Sequence, residues 1–156
     1  MPCMWIRWAR TLHRTASAFC AAFLCFATAG CHREDRALVE AWIVKAPEAP
    51  FPLHVFVFHS DGTVVQSNPD AGDPATSDSN AMGVWVRDGD GIKGKIVEVM
   101  ADRATRKFVS RGEISFTVKV NGDALSGTAQ ANFNDAEGKQ LRGPIAATLE
   151  GQRMAP

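Results

Sequence analysis

The sequence predicts an all-β protein, an antiparallel up-and-down barrel of about eight strands preceded by an N-terminal signal helix. Three observations carry that expectation. From residue 38 onward apolar and polar residues alternate with a period of two, and no long stretch keeps a helical period. Short turn sequences such as Asp88-Gly89-Asp90-Gly91 and Asn121-Gly122-Asp123 separate the alternating stretches, and links this short force antiparallel neighbours. Seven or eight such stretches fit into about 115 residues. A meander of that number closes on itself because closure removes exposed strand edges. A sandwich is the other arrangement, but the long cross-sheet connections it needs are missing apart from one loop.

Residues 1–30 read as a signal peptide. Arg7, Arg10, His13 and Arg14 make a positive start, and residues 16–29 form an uncharged run with Phe19, Phe23, Leu24 and Phe26. That run is shorter than the roughly 20 apolar residues needed to cross a bilayer. Small residues close it, and the closing sequence admits two readings. Ala27-Thr28-Ala29 fits a small-x-small cleavage site, with cutting before Gly30. Thr28-Ala29-Gly30-Cys31 resembles a bacterial lipobox, with Thr28 where Leu is usual, and makes Cys31 the lipidated first residue of the mature chain. Cys3, Cys20 and Cys25 leave with the leader in either case. No internal disulfide or cysteine metal site is then possible. The protein is accordingly expected to be exported: a membrane-anchored lipoprotein of the bacterial cell envelope, or secreted or periplasmic if cut before Gly30. Two or more acyl chains on Cys31 would hold it at the membrane.

Residues 31–37 are polar and read as a tether, and residues 38–153 as the barrel domain. The expected strands cover residues 38–45, with Trp42 and Val44 on one face; 51–59; 63–66; 83–87, with Trp85 opposite Val84 and Val86; 92–101; 107–120; 125–134; and 139–151. Residues 67–82, rich in Pro, Asp, Ser and Gly, are expected as one long loop, either a lid or disordered.

The 156 residues hold 17 basic and 17 acidic side chains. The first 31 contain three arginines and no acid, so the remainder carries 14 basic and 17 acidic groups, a net of −3. That acidic body lacks the basic excess that nucleic-acid binding requires. A charged content of 22 % and an apolar content of 46 % exclude disorder and a multi-span membrane protein. No nucleophile elbow, phosphate loop or dinucleotide fingerprint is present. His54 and His59 lie five apart on one strand, which places them on opposite faces, so they are expected at the surface or rim and not as joint metal ligands. Asp88-Gly89-Asp90-Gly91 lacks the further acids of a calcium loop and reads as a plain turn. Lys93, Lys95, Arg103, Arg106, Lys107 and Arg111 cluster around one hairpin, expected as a solvated face, with anionic lipid or glycan as the alternative contact.

The alternation also names an interior. Leu125, Gly127, Ala129, Ala131 and Phe133 share one face, as do Leu141, Gly143, Ile145, Ala147, Leu149 and Gly151. An eight-stranded barrel is just wide enough to be filled by side chains or to hold one small ligand. So many small inward residues leave room, unless Phe116, Phe133 and Leu141 fill it. Glu98 is ambiguous. One register sends Ile92, Gly94, Ile96, Glu98 and Met100 inward; a bulge, or the opposite register with Val97 and Val99 inside, puts Glu98 at the rim. The rim placement is the expectation.

Trp42 and Arg153 match a pattern of the lipocalins, in which a Gly-x-Trp on the first strand meets an Arg near the end of the last. Here the segments read Glu40-Ala41-Trp42 and Gly151-Gln152-Arg153, with Glu40 in place of the Gly. Further pieces are Asp61-Gly62-Thr63, Gly83-Val84-Trp85, Gly122-Asp123 with Leu125-Ser126-Gly127-Thr128, and the turn at 135–138. Together, over residues 38–153, the chain resembles small lipocalin-like (calycin-type) bacterial proteins. The resemblance implies an eight-stranded barrel closed by an Arg153–Trp42 contact. It implies no activity and transfers no catalytic residue.

The leading expectation is a barrel that binds a small apolar ligand through Phe116, Phe133, Trp85 and Ala129, with no cofactor and no metal. The first alternative is a cyclase- or isomerase-type barrel enzyme using Glu98 as general acid or base. The second is an envelope interaction protein with a filled core.

Overall fold

The computed structural model describes residues 38–68 and 73–155. The segments expected as signal peptide and tether, with Cys31, lie outside the described residues. The strands are β1 (Glu40–Lys45), β2 (Leu53–Phe58), β3 (Thr63–Ser67), β4 (Thr76–Asp78), β5 (Ala81–Asp88), β6 (Gly91–Asp102), β7 (Phe108–Asn121), β8 (Ala124–Asn134) and β9 (Gln140–Arg153).

Eight of these close into an antiparallel barrel in the order β6-β5-β3-β2-β1-β9-β8-β7, with β7 returning to β6. Consecutive barrel strands are neighbours throughout, as the short turns require. The last strand closes on the first, with Trp42 opposite Arg153 and Val44 opposite Gly151. Two of the turns are two-residue hairpins that use a glycine at positive φ. Asp88 pairs with Gly91 around Gly89 (φ 63°), and Asn121 pairs with Ala124 around Gly122 (φ 60°).

The stretch 67–82 differs from the expected single loop. Ser67 ends β3, Ala81 begins β5, and Thr76–Asp78 form β4 between them. β4 pairs with the end of β6, Thr76 opposite Asp102, continuing the line that β5 leaves where Met82 faces Val97. β6 outruns β5, and its free backbone edge is satisfied by the chain beside it.

The strands are unequal. β1, β2 and β3 have five or six residues, whereas β6 to β9 have eleven to fourteen. The core occupies the end where short and long strands overlap fully. There Trp42, Val44, Phe58, Val64, Ile92, Val118, Leu125 and Leu149 are buried, and the small gap among them has about 10 Å³ of room. Phe56 and Phe58 stack with ring centres 5.8 Å apart, and Phe116 meets both edge-on at 6.3 and 6.0 Å. Each such pair adds about 0.5–1.5 kcal/mol beyond burial. Gly94, opposite Phe116, makes this possible: its missing side chain is where the Phe116 ring lies.

Candidate functional site

Above the aromatic floor the barrel is hollow, with a cavity of about 850 Å³. The sequence reason is a run of small residues on the inward rows of β8 and β9. Phe116 pairs with Ala129, and Ala129 with Ala147; one step higher, Ile114 pairs with Ala131 and Ala131 with Ile145. Three alanines stand where larger side chains would meet across the lumen. All of these residues line the cavity.

Of the residues expected to contact a ligand, Phe116, Ala129 and Phe133 do line this cavity. Phe116 is its floor, and Phe133 stands near the mouth with the Arg142 guanidinium 4.1 Å above its ring. Trp85 does not join them. It lies at the packed end, edge-on to Phe58 at 6.3 Å, and its indole N–H donates to the carbonyls of His59 and Thr63. Trp42 and Arg153 meet as the resemblance implies, the guanidinium 4.4 Å above the indole. The indole N–H of Trp42 donates to the Leu38 carbonyl at 2.8 Å. Arg153 also donates to Glu40 (2.7 Å), Asp123 (3.0 Å) and the Gly122 carbonyl (3.1 Å). Glu40 is therefore a partner of that arginine.

Glu98 corrects the expected register. Ile96 and Glu98 are buried while Val97 and Val99 are exposed, so the even row of β6 points inward and Glu98 lies in the cavity wall, 8 % exposed. The strand stays regular up to Met100, and the bulge falls after it, between Met100 and Ala101. Gly112 directly opposite provides the room: a Cβ there would sit 2.7 Å from Glu98 Oε1. Oε2 accepts a hydrogen bond of 2.6 Å from Asn68 Nδ2. Among the described residues, none donates to Oε1. Burial first, and then the nearby Asp78 carboxylate, push the Glu98 pKa up to about 7, against the opposing pull of Arg142.

His54 is a second correction. It shares the inward row of β2 with Phe56 and Phe58, is buried, and lines the cavity, whereas His59 is exposed. Gln66, inward on the adjacent β3, donates its amide to His54 Nδ1 at 2.8 Å, which places the ring proton on Nε2. Burial lowers the His54 pKa, with the Phe51 backbone opposing, so the ring is neutral near pH 7.

Asp78 and Arg142 are cavity residues with no signal in the alternation. Asp78 comes from β4. Arg142 enters because β9 holds an extra residue: Ala131 faces Ile145, yet Phe133 faces Arg142, three positions away on β9 instead of two. Three members of the basic cluster meet acids: Lys95 and Arg111 engage Glu113, and Lys93 lies 3.4 Å from Asp88. Among the described residues, no group of three or more His, Cys, Asp or Glu is arranged to hold a metal. Compared with protein families, with curated proteins and with solved structures, the chain matches none.

Proposed function

We propose that this protein is a carrier or binding module that holds a small, largely apolar ligand inside a lipocalin-like barrel. The observation that carries the reading is the hollow upper half. Its volume of about 850 Å³ falls within the range of roughly 300–1,000 Å³ typical of small-molecule sites. Its walls include Phe56, Ile114, Phe116 and three alanines, with polar side chains set among them, Gln66 directly opposite Phe56. At about 25 cal/mol per Å², burying roughly 300 Å² of ligand contributes about 7 kcal/mol before the cost of association. Export and a lipid on Cys31 would place this module at the bacterial envelope.

Native mass spectrometry of the protein purified gently from its host tests the reading. The expected result is an added mass that is lost on denaturation. The denatured mass separately decides the leader: a diacylglyceryl increment on a chain starting at Cys31 supports the lipoprotein, and a bare chain from Gly30 removes it.

The inward Glu98 also favours a second reading, an isomerase- or cyclase-type enzyme with this carboxyl as proton donor or acceptor. Glu98→Gln would then abolish turnover while ligand is retained. The open volume weighs against an interaction protein with a filled core.

A further inference from the structure

The polar part of the cavity is strongly one-sided in charge. Among the described residues, four carboxylates line it, those of Glu48, Asp73, Asp78 and Glu98, against one guanidinium, Arg142. Glu48 is already engaged, accepting from the Thr148 backbone N–H (3.0 Å) and hydroxyl (3.1 Å). Glu98 differs in kind from the rest. It is more than nine-tenths buried, projects into the lumen, and has one oxygen held by Asn68 and the other with no donor among the described residues. A carboxylate removed from water is costly unless something donates to it. Arg142 is not that donor, since its guanidinium lies over the Phe133 ring. The near neighbour of like charge is Asp78, and the histidine in the same cavity is held neutral.

We propose that the natural ligand is an amphiphilic amine whose ammonium head lies against Glu98 and Asp78 and whose apolar tail runs down to the Phe116 floor. This rests on the cavity being a binding site and adds the chemistry of the head group. An ammonium brings three donors and no acceptor, which suits Glu98 Oε1, and a positive charge, which suits the excess of carboxylates. An anionic head would meet two like charges and could pair only with Arg142. Ionised Glu98 is the competent form, and its raised pKa means that a bound ammonium would pull it back down.

Three probes of one tail length separate head from tail: dodecylamine, dodecanol and dodecanoate. Each is titrated into the full chain below its solubility limit or micelle-forming concentration, at about pH 8, above the Glu98 pKa of about 7. Displacement of a neutral naphthylamine dye reports occupancy. The expected order is dodecylamine tightest, by at least about tenfold over dodecanol, and dodecanoate weakest. Glu98→Gln and Asp78→Asn should each reduce the amine preference and leave dodecanol binding within about twofold. Dodecanoate binding as tightly as the amine would overturn the head-group assignment and leave the cavity reading standing. An amine preference unchanged in both variants would overturn it equally. No binding of dye or of any probe would remove the cavity reading and this one together.

Discussion

The two ends of the barrel are built from the same strands and do opposite things with them. At the closed end the inward rows carry Trp42, Val118, Leu125 and Ile92, each at most 5 % exposed, and the polar atoms are spent on closure: the Trp42 indole on Leu38, and Arg153 on the ring above it and on Glu40 and Asp123. At the open end the same rows carry alanines, Gly112 and Glu98, and leave about 850 Å³ of open volume. The closed end supplies stability that the open end does without. A buried carboxyl is tolerated where it is because the packed half beneath it already holds the strands in register.

Trp42→Ala should separate the two ends most strongly. Removing a fully buried indole typically costs about 3–5 kcal/mol, and here it also removes the ring under Arg153. The urea midpoint should fall accordingly. A loss similar to that of Phe133→Ala, a half-buried residue at the mouth for which we expect under about 1 kcal/mol together with weakened dye binding, would erase the distinction between the ends.

The second expected effect concerns Glu98 and pH. Its folded-state pKa of about 7 lies above the value of about 4.3 for an unfolded Glu, so the folded state holds that proton more tightly. The contribution is fully present below about pH 4.3 and is lost as pH rises through about 7, reaching a loss of up to about 4 kcal/mol by linkage. Glu98→Gln should remove that slope, and the two proteins should therefore diverge in urea midpoint across this window. Parallel curves would show the carboxyl to be ordinary.

A smaller effect is expected at Arg153. Arg153→Met keeps much of the stem but loses the cation–π contact and the hydrogen bonds, at about 1–2 kcal/mol. Gly112→Ala probes the open end. Its Cβ contests the positions of Glu98 Oε1 and Cγ at 2.7 and 2.8 Å, so Glu98 must shift, and its pH dependence should shrink together with some loss of stability at every pH.

How much of this was legible in the sequence follows from parity. Two-residue turns and strict alternation define the strands, and they place Phe116, Ala129 and Phe133 on the inward face, where the structure has them. The same parity placed His54 with Phe56 and Phe58, a signal available in the sequence that a surface reading of histidines passed over. Trp85 has the inward parity but sits too near the closed end to meet a ligand: parity gives the face and not the height along the barrel. Glu98 hung on where the β6–β7 bulge falls, which alternation cannot locate. Arg142 and Asp78 were invisible, the one brought in by an extra residue in β9 and the other by a three-residue strand that exists only because β6 has an edge to offer.

An open upper half above a packed lower half can be filled by a single substitution. Ala131 lies midway up the cavity wall between Ile114 and Ile145. Ala131→Trp is expected to abolish uptake of a neutral naphthylamine dye that the unmodified chain takes up, while the melting temperature holds or rises. Dye uptake unchanged in the variant, or a variant that unfolds because the space was already occupied, would contradict an open upper half.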